Sequence, residues 1–293
     1  MLTRIRRLTD RSRARLFARR VVHHVWRLGR SLETPRDTLL AISELSRRHG
    51  GDRPAVPDDA PLTAFELRAF SQNGEDGVLV ELLRRTGEGG RFFVEFGAGD
   101  GRENNSLFLA DVLAWSGLFI EGDPQRAARL ADKYRGTCVH ARNALVTPET
   151  IDDVFAAAGV PAEPDVLSID VDGADYWIWR GLQRYRPRIV VIEYNASLGI
   201  EAHRVQPADR ADTFDLTSYG GASIAALRAL GATKGYRLVH TELTGNNAFF
   251  VREGQPGVYP APERVPLRAP NQYLTGSGQP LMTRGERGYV TPS

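Results

Sequence analysis

The stretch Phe92–Gly101 reads FFVEFGAGDG, and it decides the fold class. Its first five residues carry mostly apolar, β-favouring side chains and predict a short buried strand. Gly97, Gly99 and Gly101 follow at once, and glycines allow both a tight turn and an approach to a ligand that a Cβ would block. A strand that ends in a glycine-rich loop is typical of nucleotide-binding α/β proteins.

Downstream of this loop, short apolar runs alternate with helical stretches. The runs predict strands at 117–121, 137–140, 165–170 and 188–193, with helices at 104–115, 124–134, 148–158 and 174–183 between them. Continuous apolar strands separated by helices predict a parallel sheet that is buried on both faces. A helix near 222–232 then precedes strands at 236–243 and 247–251, which the Gly245–Asn246 turn joins into an antiparallel hairpin.

Composition narrows the class of protein. The 293 residues are 42% hydrophobic and 25% charged, which fits an ordinary globular chain. No apolar run reaches the roughly 18 residues that a membrane-spanning helix needs. The single cysteine, Cys138, excludes a disulfide scaffold and a multi-cysteine zinc site, and we expect it to be a small buried residue.

The first 30 residues form a strongly basic arm. They hold ten arginines and one acidic residue, Asp10, whereas positions 31–293 hold 28 basic and 35 acidic residues. The acidic body shows no footprint for nucleic acid, so we expect no such partner. Apolar residues recur among the arginines at helical spacing, and such a helix can lie on an anionic membrane, dock on a partner or pack on its own domain. The arm lacks the apolar segment of a secretory signal, although an organelle transit peptide has a similar composition. We expect a cytoplasmic protein whose arm is a candidate for peripheral contact with the inner face of the membrane.

Glu121 ends the second predicted strand, 20 residues after Gly101. At this spacing a carboxylate can accept hydrogen bonds from both ribose hydroxyls of an adenosine. The carboxylates of Glu95, Asp100 and Glu103 near the loop would repel the pyrophosphate of a dinucleotide but suit the cationic groups of S-adenosylmethionine. The charge pattern therefore favours S-adenosylmethionine over a nicotinamide cofactor.

These motifs resemble those of class I S-adenosylmethionine-dependent methyltransferases, and more narrowly those of the FkbM-type group. The resemblance covers about residues 70–252, and seven segments carry it: 71–76, 95–101, 119–122, 165–173, 190–195, 217–223 and 245–250. It implies a Rossmann-like α/β fold with a seven-stranded sheet in the order 3-2-1-4-5-7-6, the last strand antiparallel, and helices on both faces. It also implies S-adenosylmethionine as cofactor, with Asn143 beside the adenine. The candidate cofactor-binding residues are Gln72, Glu95, Gly97, Gly99, Gly101, Glu121, Asn143 and Asp170.

Oxygen-bearing side chains end two predicted neighbouring strands. Asp170 and Asp172 end one strand, and Glu193 and Asn195 end the other. Alternate residues of an extended chain project to one side, so each pair can converge at the carboxyl edge of the sheet. Oxygen ligands suit Mg²⁺, which predicts a metal site at Asp170, Glu193 and Asn195. In the alternative interpretation, Asp170 binds the amino group of the cofactor and Asp172 caps the following helix.

A base for the acceptor is needed if no metal is present. His203 follows the Glu193–Asn195 strand by a few residues and is the best histidine candidate. The candidate catalytic residues are thus Asp170, Asp172 and His203. The long irregular stretch 196–221 predicts a loop that forms the wall of the acceptor site.

The sequence predicts three parts: a basic helical arm and linker at 1–60, a methyltransferase domain at 61–254, and a Pro/Gly-rich tail at 255–293 that is disordered or wraps irregularly. The expected reaction is O-methylation, with or without Mg²⁺. The resemblance favours a sugar hydroxyl of a glycan, glycolipid or natural product as the acceptor. An N- or C-methyltransferase and a nicotinamide-dependent oxidoreductase are the alternatives.

Overall fold

The computed structural model describes residues 35–51, 57, 59–171, 173–210, 219–268 and 288–292. The basic arm, Asp172 and part of the tail lie outside the described residues, so membrane contact by the arm stays a prediction. Within the described ranges, no helix is both long enough and apolar enough to cross a bilayer.

A seven-stranded sheet lies at the centre of the molecule, in the order β3-β2-β1-β4-β5-β7-β6. Its strands are β1 (Phe92–Phe96), β2 (Ser116–Glu121), β3 (Val139–Asn143), β4 (Val166–Ile169), β5 (Ile189–Glu193), β6 (Tyr236–Thr241) and β7 (Asn247–Arg252). The first five strands are parallel, and β7 runs antiparallel to both β5 and β6. The predicted order and the predicted closing hairpin are confirmed.

Helices cover both faces of this sheet. They are α1 (Pro35–His49), α2 (Glu75–Thr86), α3 (Leu107–Asp111), α4 (Pro124–Lys133), α5 (Ile151–Ala157), α6 (Asp175–Gly181) and α7 (Ile224–Thr233). Apolar side chains of α5, α6 and α7 share one core with alternate strand residues, and those of α2, α3 and α4 share the other core with the remaining strand residues. Burial on both faces explains why the parallel strands are continuously apolar.

The alternation of side chains also fixes which face carries the polar strand ends. Phe93 and Val191 lie in the core beneath α2, so Glu95 and Glu193, each two residues further on, project to that same face. In the register of the sheet, Glu121 pairs with Asn143 at one side. The polar side chains at the carboxyl edge are therefore gathered on one face of the sheet.

The opposite, amino-terminal edge of the sheet is held by Asp165, which is fully buried. Its carboxylate accepts hydrogen bonds from the backbone N–H groups of Gly89 at 2.6 Å and Phe92 at 3.2 Å, and from the Arg188 guanidinium at 2.8 Å. Arg188 also donates to the carbonyl oxygen of Thr86 at 2.6 Å. These bonds join the end of α2 to the starts of β1, β4 and β5.

The helix after β1 is much shorter than predicted. The sequence predicts a helix over 104–115, whereas α3 spans only Leu107–Asp111. The backbone N–H groups of Asn105 and Ser106 donate to the Glu95 carboxylate instead of extending a helix. The Glu95 carboxylate thus satisfies two N–H groups directly ahead of α3.

Strand β3 begins later than predicted, and this changes the surroundings of Cys138. The prediction placed a strand at 137–140, but Thr137 closes a turn on the carbonyl oxygen of Tyr134, and pairing starts at Val139. Cys138 is exposed, so the expectation of a buried thiol is wrong. Cys138 is exposed because it comes before the first paired residue of β3, and β3 is an edge strand of the sheet.

One described part of the tail, around Val290, pairs with the domain. Val290 and Val205 exchange two backbone hydrogen bonds of 2.9 Å each. The flanking residues of Val205 pair in turn with 221–223, which gives a small three-stranded ladder. Composition alone did not predict this pairing, because Val290 lies in a sequence with no strand periodicity.

Candidate active site

The glycine-rich loop after β1 adopts a backbone conformation that favours glycine. Gly97, Gly99 and Gly101 have φ values of 64°, 57° and 71°. A Cβ built on Gly97 would lie 1.7 Å from the carbonyl oxygen of Asp170, so the loop presses directly on the end of β4. Gly101 is close to the Leu130 side chain of α4, 2.6 Å from the position of its absent Cβ. The backbone conformation favours glycine at all three positions, and the lack of space for a Cβ favours it at Gly97 and Gly101 as well.

Glu121 binds this loop to the end of β2. One carboxylate oxygen accepts from the Gly99 N–H at 2.6 Å, and the other accepts from the Asp123 N–H at 2.8 Å. Asp123 in turn caps the N-terminus of α4. Each carboxylate oxygen has a second lone pair, so Glu121 can still accept hydrogen bonds from a diol.

Two residues after β2 and β3 border the same position. The side-chain amide of Asn143 donates to the carbonyl oxygens of Glu121 at 2.8 Å and Gly122 at 2.9 Å, and the residue itself is exposed. Leu145 is 80% exposed, and its side chain comes within 3.8 Å of the Cβ position of Gly122. The sequence analysis missed Leu145, since an apolar residue just after a strand has no distinctive pattern.

Glu95 is deeply buried beneath the residues that follow the glycine loop. Its two oxygens accept from the N–H groups of Asn105 at 3.0 Å and Ser106 at 2.8 Å. Burial raises the pKa of Glu95 to about 7, although these hydrogen bonds act in the opposite direction. In this structure Glu95 fixes the loop, and a contact with a cofactor stays a prediction.

The structure weakens the argument from charge, by which the carboxylates near the glycine loop favour S-adenosylmethionine over a nicotinamide cofactor. Asp100 is 3.6 Å from the Arg102 guanidinium, and Glu103 is 3.8 Å from that of Arg68. Since Glu95 also has a raised pKa, none of the three carboxylates acts as a full unpaired charge near neutral pH. Glu121 is the carboxylate that the structure brings against the loop itself.

The raised pKa of Glu95 predicts a pH-dependent stability. The folded carboxyl titrates near pH 7 and the unfolded one near 4.5, so folding takes up a proton between these values. The free energy of unfolding should therefore fall as pH rises from 5 to 8, by up to about 3 kcal/mol from this group. In urea denaturation, the stability difference between wild type and Glu95→Gln should shrink over that range. If the free energies of unfolding of the two proteins change with pH in parallel, this prediction is contradicted. The control is Glu149→Gln, a variant at an exposed site, which should keep the pH dependence of the wild type over that range.

The strand ends on the other side of the loop carry Asp170 and Glu193, both partly exposed. Asp170 directly follows β4, and Glu193 is the last residue of β5, the neighbouring strand. In the antiparallel register Glu193 pairs with Asn247, the first residue of β7. Asp170, Glu193 and Asn247 thus belong to three adjacent strands at one edge of the sheet.

The side chain of Asn195, a predicted metal ligand, is engaged in local hydrogen bonds, and its role as a ligand stays a prediction. Its side-chain oxygen accepts from the N–H of Ser197 at 3.0 Å and caps a short 3₁₀ turn, Ala196–Leu198. Its side-chain nitrogen donates to the carbonyl oxygen of Gly220 at 2.9 Å. Elsewhere in the described part of the chain, no three His, Cys, Asp or Glu side chains come together in a way that could hold a metal ion.

The remaining predicted site residues are Asp172, His203 and Gln72, and the structure does not bring His203 and Gln72 together as clearly as Asp170 and Glu193. Asp172 lies outside the described residues, so its catalytic role stays a prediction. His203 is exposed on the stretch that leads into the Val205 ladder, and Gln72 is partly exposed in the loop before α2. The predicted acceptor wall is anchored where Trp177 donates to the carbonyl oxygen of Gln206 at 2.8 Å.

A match to a family of known proteins covers three of the strand ends described above, those of β3, β4 and β5. The methyltransferase FkbM domain family matches residues 139–238, from β3 through the start of β6. The sheet order, with its antiparallel β7, is the order that this resemblance implied. The match covers about a third of the chain, so it relates residues 139–238, rather than the whole chain, to the FkbM methyltransferase domain.

Solved structures that are similar to this chain include several methyltransferases. The carbon methyltransferase CurJ aligns at 12% identity with a TM-score of 0.41, over 74% of this chain and 66% of its own. An S-adenosylmethionine-dependent methyltransferase from Mesorhizobium loti aligns at 13% identity with a TM-score of 0.39, over 61% of this chain and 100% of its own. The amino pentose methyltransferase CalS10 from Micromonospora echinaspora aligns at 13% identity with a TM-score of 0.36, over 59% of this chain and 87% of its own. No curated protein matches the chain at a significant level.

The sequence analysis missed three polar residues at the carboxyl edge of the sheet. Glu75, Glu242 and Asn247 are all buried where the N-terminus of α2 meets the β6–β7 hairpin. Two of the segments that carried the resemblance, 71–76 and 245–250, contain Glu75 and Asn247, and they were the available signal. Their contact could not be read from the sequence, because 171 residues separate the two positions.

Proposed function

We propose that this protein transfers the methyl group of S-adenosylmethionine to a hydroxyl group, and that a sugar hydroxyl is the acceptor. The observation that carries the proposal is the order of carboxylates along one edge of one sheet face. Glu121 ends β2, Asp170 follows β4, and Glu193 ends β5. This order separates a cofactor end from an acceptor end.

The spacing of the strands supports this division of roles. Neighbouring strands lie about 4.8 Å apart, so Glu121 and Glu193, three strands apart, are roughly 14 Å from each other across the sheet. That span suits a nucleoside at β2, the sulfur near β4 and an acceptor beyond it. Glu193 is thus on the acceptor side, and Asp170 lies between the two ends.

The bound cofactor supplies an activated methyl group on a sulfonium, so the protein has two tasks. It aligns the acceptor oxygen with the methyl carbon, which can lower the barrier by roughly 7–11 kcal/mol. It also takes the proton of the acceptor, a contribution of about 10²–10⁴-fold. We assign ribose binding to Glu121, alignment to Asp170 and proton acceptance to Glu193. A bond between the acceptor oxygen and the methyl carbon would form as the sulfur–carbon bond breaks. The electron pair of the broken bond would stay on the sulfur.

Mg²⁺ is not part of this proposal. Asp170 and Glu193 offer the oxygen donors that the ion prefers, but the Asn195 oxygen is already used to cap the turn at Ala196–Leu198. Because one member of the predicted ligand set is engaged elsewhere, no step of the reaction is assigned to a metal ion.

Calorimetry with S-adenosylhomocysteine tests the cofactor end of the proposal. Glu121→Gln should weaken binding by about tenfold to hundredfold, since two charge-assisted hydrogen bonds to the ribose are lost. Asp132→Asn, on the exposed side of α4, is the control and should bind like the wild type. Uptake of NAD in place of S-adenosylhomocysteine by the wild type would instead favour the oxidoreductase alternative.

Transfer of a radiolabelled methyl group to a panel of simple acceptors tests the other end. Methyl glycosides should be labelled, and the product should carry a methyl ether. Labelling of amines alone, or of carbon acids alone, would replace the proposed oxygen acceptor with one of the alternatives from the sequence.

A further inference from the structure

A pair of buried carboxylates lies beside the acceptor end of the site, and the proposed reaction gives them no role. Glu75 begins α2, and Glu242 begins the turn between β6 and β7; neither side chain is exposed. Glu75 accepts from the Asn73 N–H at 2.8 Å and from the Asn247 side-chain amide at 2.8 Å. The carboxylate thus joins the loop before α2 to the first residue of β7.

Glu242 is held entirely by its own turn. Its carboxylate accepts from the N–H groups of Thr244 and Asn246, both at 2.5 Å, and from the Thr244 hydroxyl at 2.6 Å. Burial raises the pKa of Glu242, and the negative charge of Glu75 raises it further. The two carboxylates are therefore close enough to repel each other.

Among the residues that the structure describes, no lysine or arginine forms an ion pair with Glu75 or Glu242. The Arg268 guanidinium is near enough to lower the pKa of the neighbouring His240, but it is not bound to either carboxylate. The nearby His240 is bound to Glu66 at 2.9 Å, and burial lowers its pKa although Glu66 opposes this. Glu81, a third buried carboxylate on α2, differs because it pairs with both Arg84 and Arg85.

An unpartnered oxygen extends this negative region toward the site. Asn247 is 5% exposed, and its side-chain oxygen has no hydrogen-bond donor, because its amide nitrogen is fixed on Glu75. Asn247 and Glu193 are direct partners across the strands, so their side chains project to the same face of the sheet. The buried negative groups thus adjoin the carboxylate that we place at the acceptor.

We infer that Glu75 and Glu242 make this site selective for a cationic methyl donor over its neutral product. The inference rests on the proposed function. S-adenosylmethionine carries one net positive charge on its sulfonium, and S-adenosylhomocysteine carries none. Buried charges are screened less than exposed ones, so they can act on the sulfonium without touching it. The attraction disappears when the methyl group leaves, which favours release of the product.

Binding measurements without any acceptor test this inference. The probes are S-adenosylhomocysteine and sinefungin, an unreactive analogue in which a protonated amine replaces the sulfonium. Glu75→Gln should lower the preference for sinefungin over S-adenosylhomocysteine by about fifteenfold, as expected for loss of a charge roughly 10 Å away at an effective dielectric constant of about 20. Glu242→Gln should lower it by less, because burial and the charge of Glu75 raise the pKa of Glu242. Glu81→Gln is the matched control on the same helix and should leave the preference unchanged.

The outcomes separate this inference from the proposed function. A wild-type protein that binds neither probe would overturn the proposed function itself. Equal weakening of both probes in Glu75→Gln and Glu242→Gln would show that the pair only supports the fold, and would overturn the inference. If both variants fail to fold, the wild type decides: it should bind sinefungin more tightly than S-adenosylhomocysteine at 50 mM and at 300 mM KCl, and lack of that preference would also overturn the inference.

Discussion

Gly97→Ala should abolish cofactor binding and lower the free energy of unfolding by about 3 kcal/mol. The left-handed conformation, with φ of 64°, costs an L-residue about 1–2 kcal/mol. The new methyl group would also stand 1.7 Å from the Asp170 carbonyl oxygen, so the loop or the end of β4 must move, and such overpacking adds roughly 1–3 kcal/mol. Since this loop contacts Glu121 through Gly99, any shift of it also disturbs the proposed ribose site.

Gly99→Ala is the matched control for this prediction. Gly99 has nearly the same φ, 57°, but the nearest atom to its Cβ position is 4.0 Å away. It should therefore show only the conformational penalty, about 1 kcal/mol. Urea denaturation gives the stabilities and calorimetry the affinity for S-adenosylhomocysteine. Equal effects of the two substitutions would show that the contact with Asp170 is unimportant.

Glu193→Gln should lower the turnover number by about 10²–10⁴-fold while leaving the affinity for S-adenosylhomocysteine within about twofold. The amide keeps the size of the side chain but cannot take a proton. The residue lies at the end of β5, away from the glycine loop, so the cofactor end should be unaffected. Single-turnover transfer of a labelled methyl group, with a glycoside acceptor, measures the effect.

Two further variants make this result interpretable. Glu201→Gln changes an exposed carboxylate of the following loop and should retain full turnover. Asp170→Asn should lower turnover as well, because it loses the alignment that we assign to that residue. Full turnover in both Glu193→Gln and Asp170→Asn would remove the oxygen-acceptor mechanism, although the match of residues 139–238 to the FkbM domain would stand.

Local patterns were sufficient to predict the fold. The continuous apolar strands, the glycine loop and the Gly245–Asn246 turn each depend on residues close together in the sequence, and the family resemblance supplied the order of the strands. All seven strands were predicted, with ends that differ by at most three residues from those in the structure. The helix at 104–115 was the largest error: it begins only at Leu107, after Asn105 and Ser106 have donated their N–H groups to the buried Glu95.

The site was harder to predict, because its parts meet only in three dimensions. Glu121 was found from its distance to the glycine loop, and its bond to Gly99 agrees with the position expected. Asn195 was proposed as a ligand from its spacing, but its amide is used by the local turn. The contact between Glu75 and Asn247 depends on the packing of α2 against β7, which no local pattern records.

The buried Asp165–Arg188 pair at the amino edge has a consequence for how this protein tolerates change. It anchors α2 and three strands at the end of the sheet opposite the proposed reaction. Substitutions among the loops of the catalytic end therefore leave this anchor intact. A lineage of such enzymes can exchange one acceptor for another by altering those loops, while the framework beneath them stays the same.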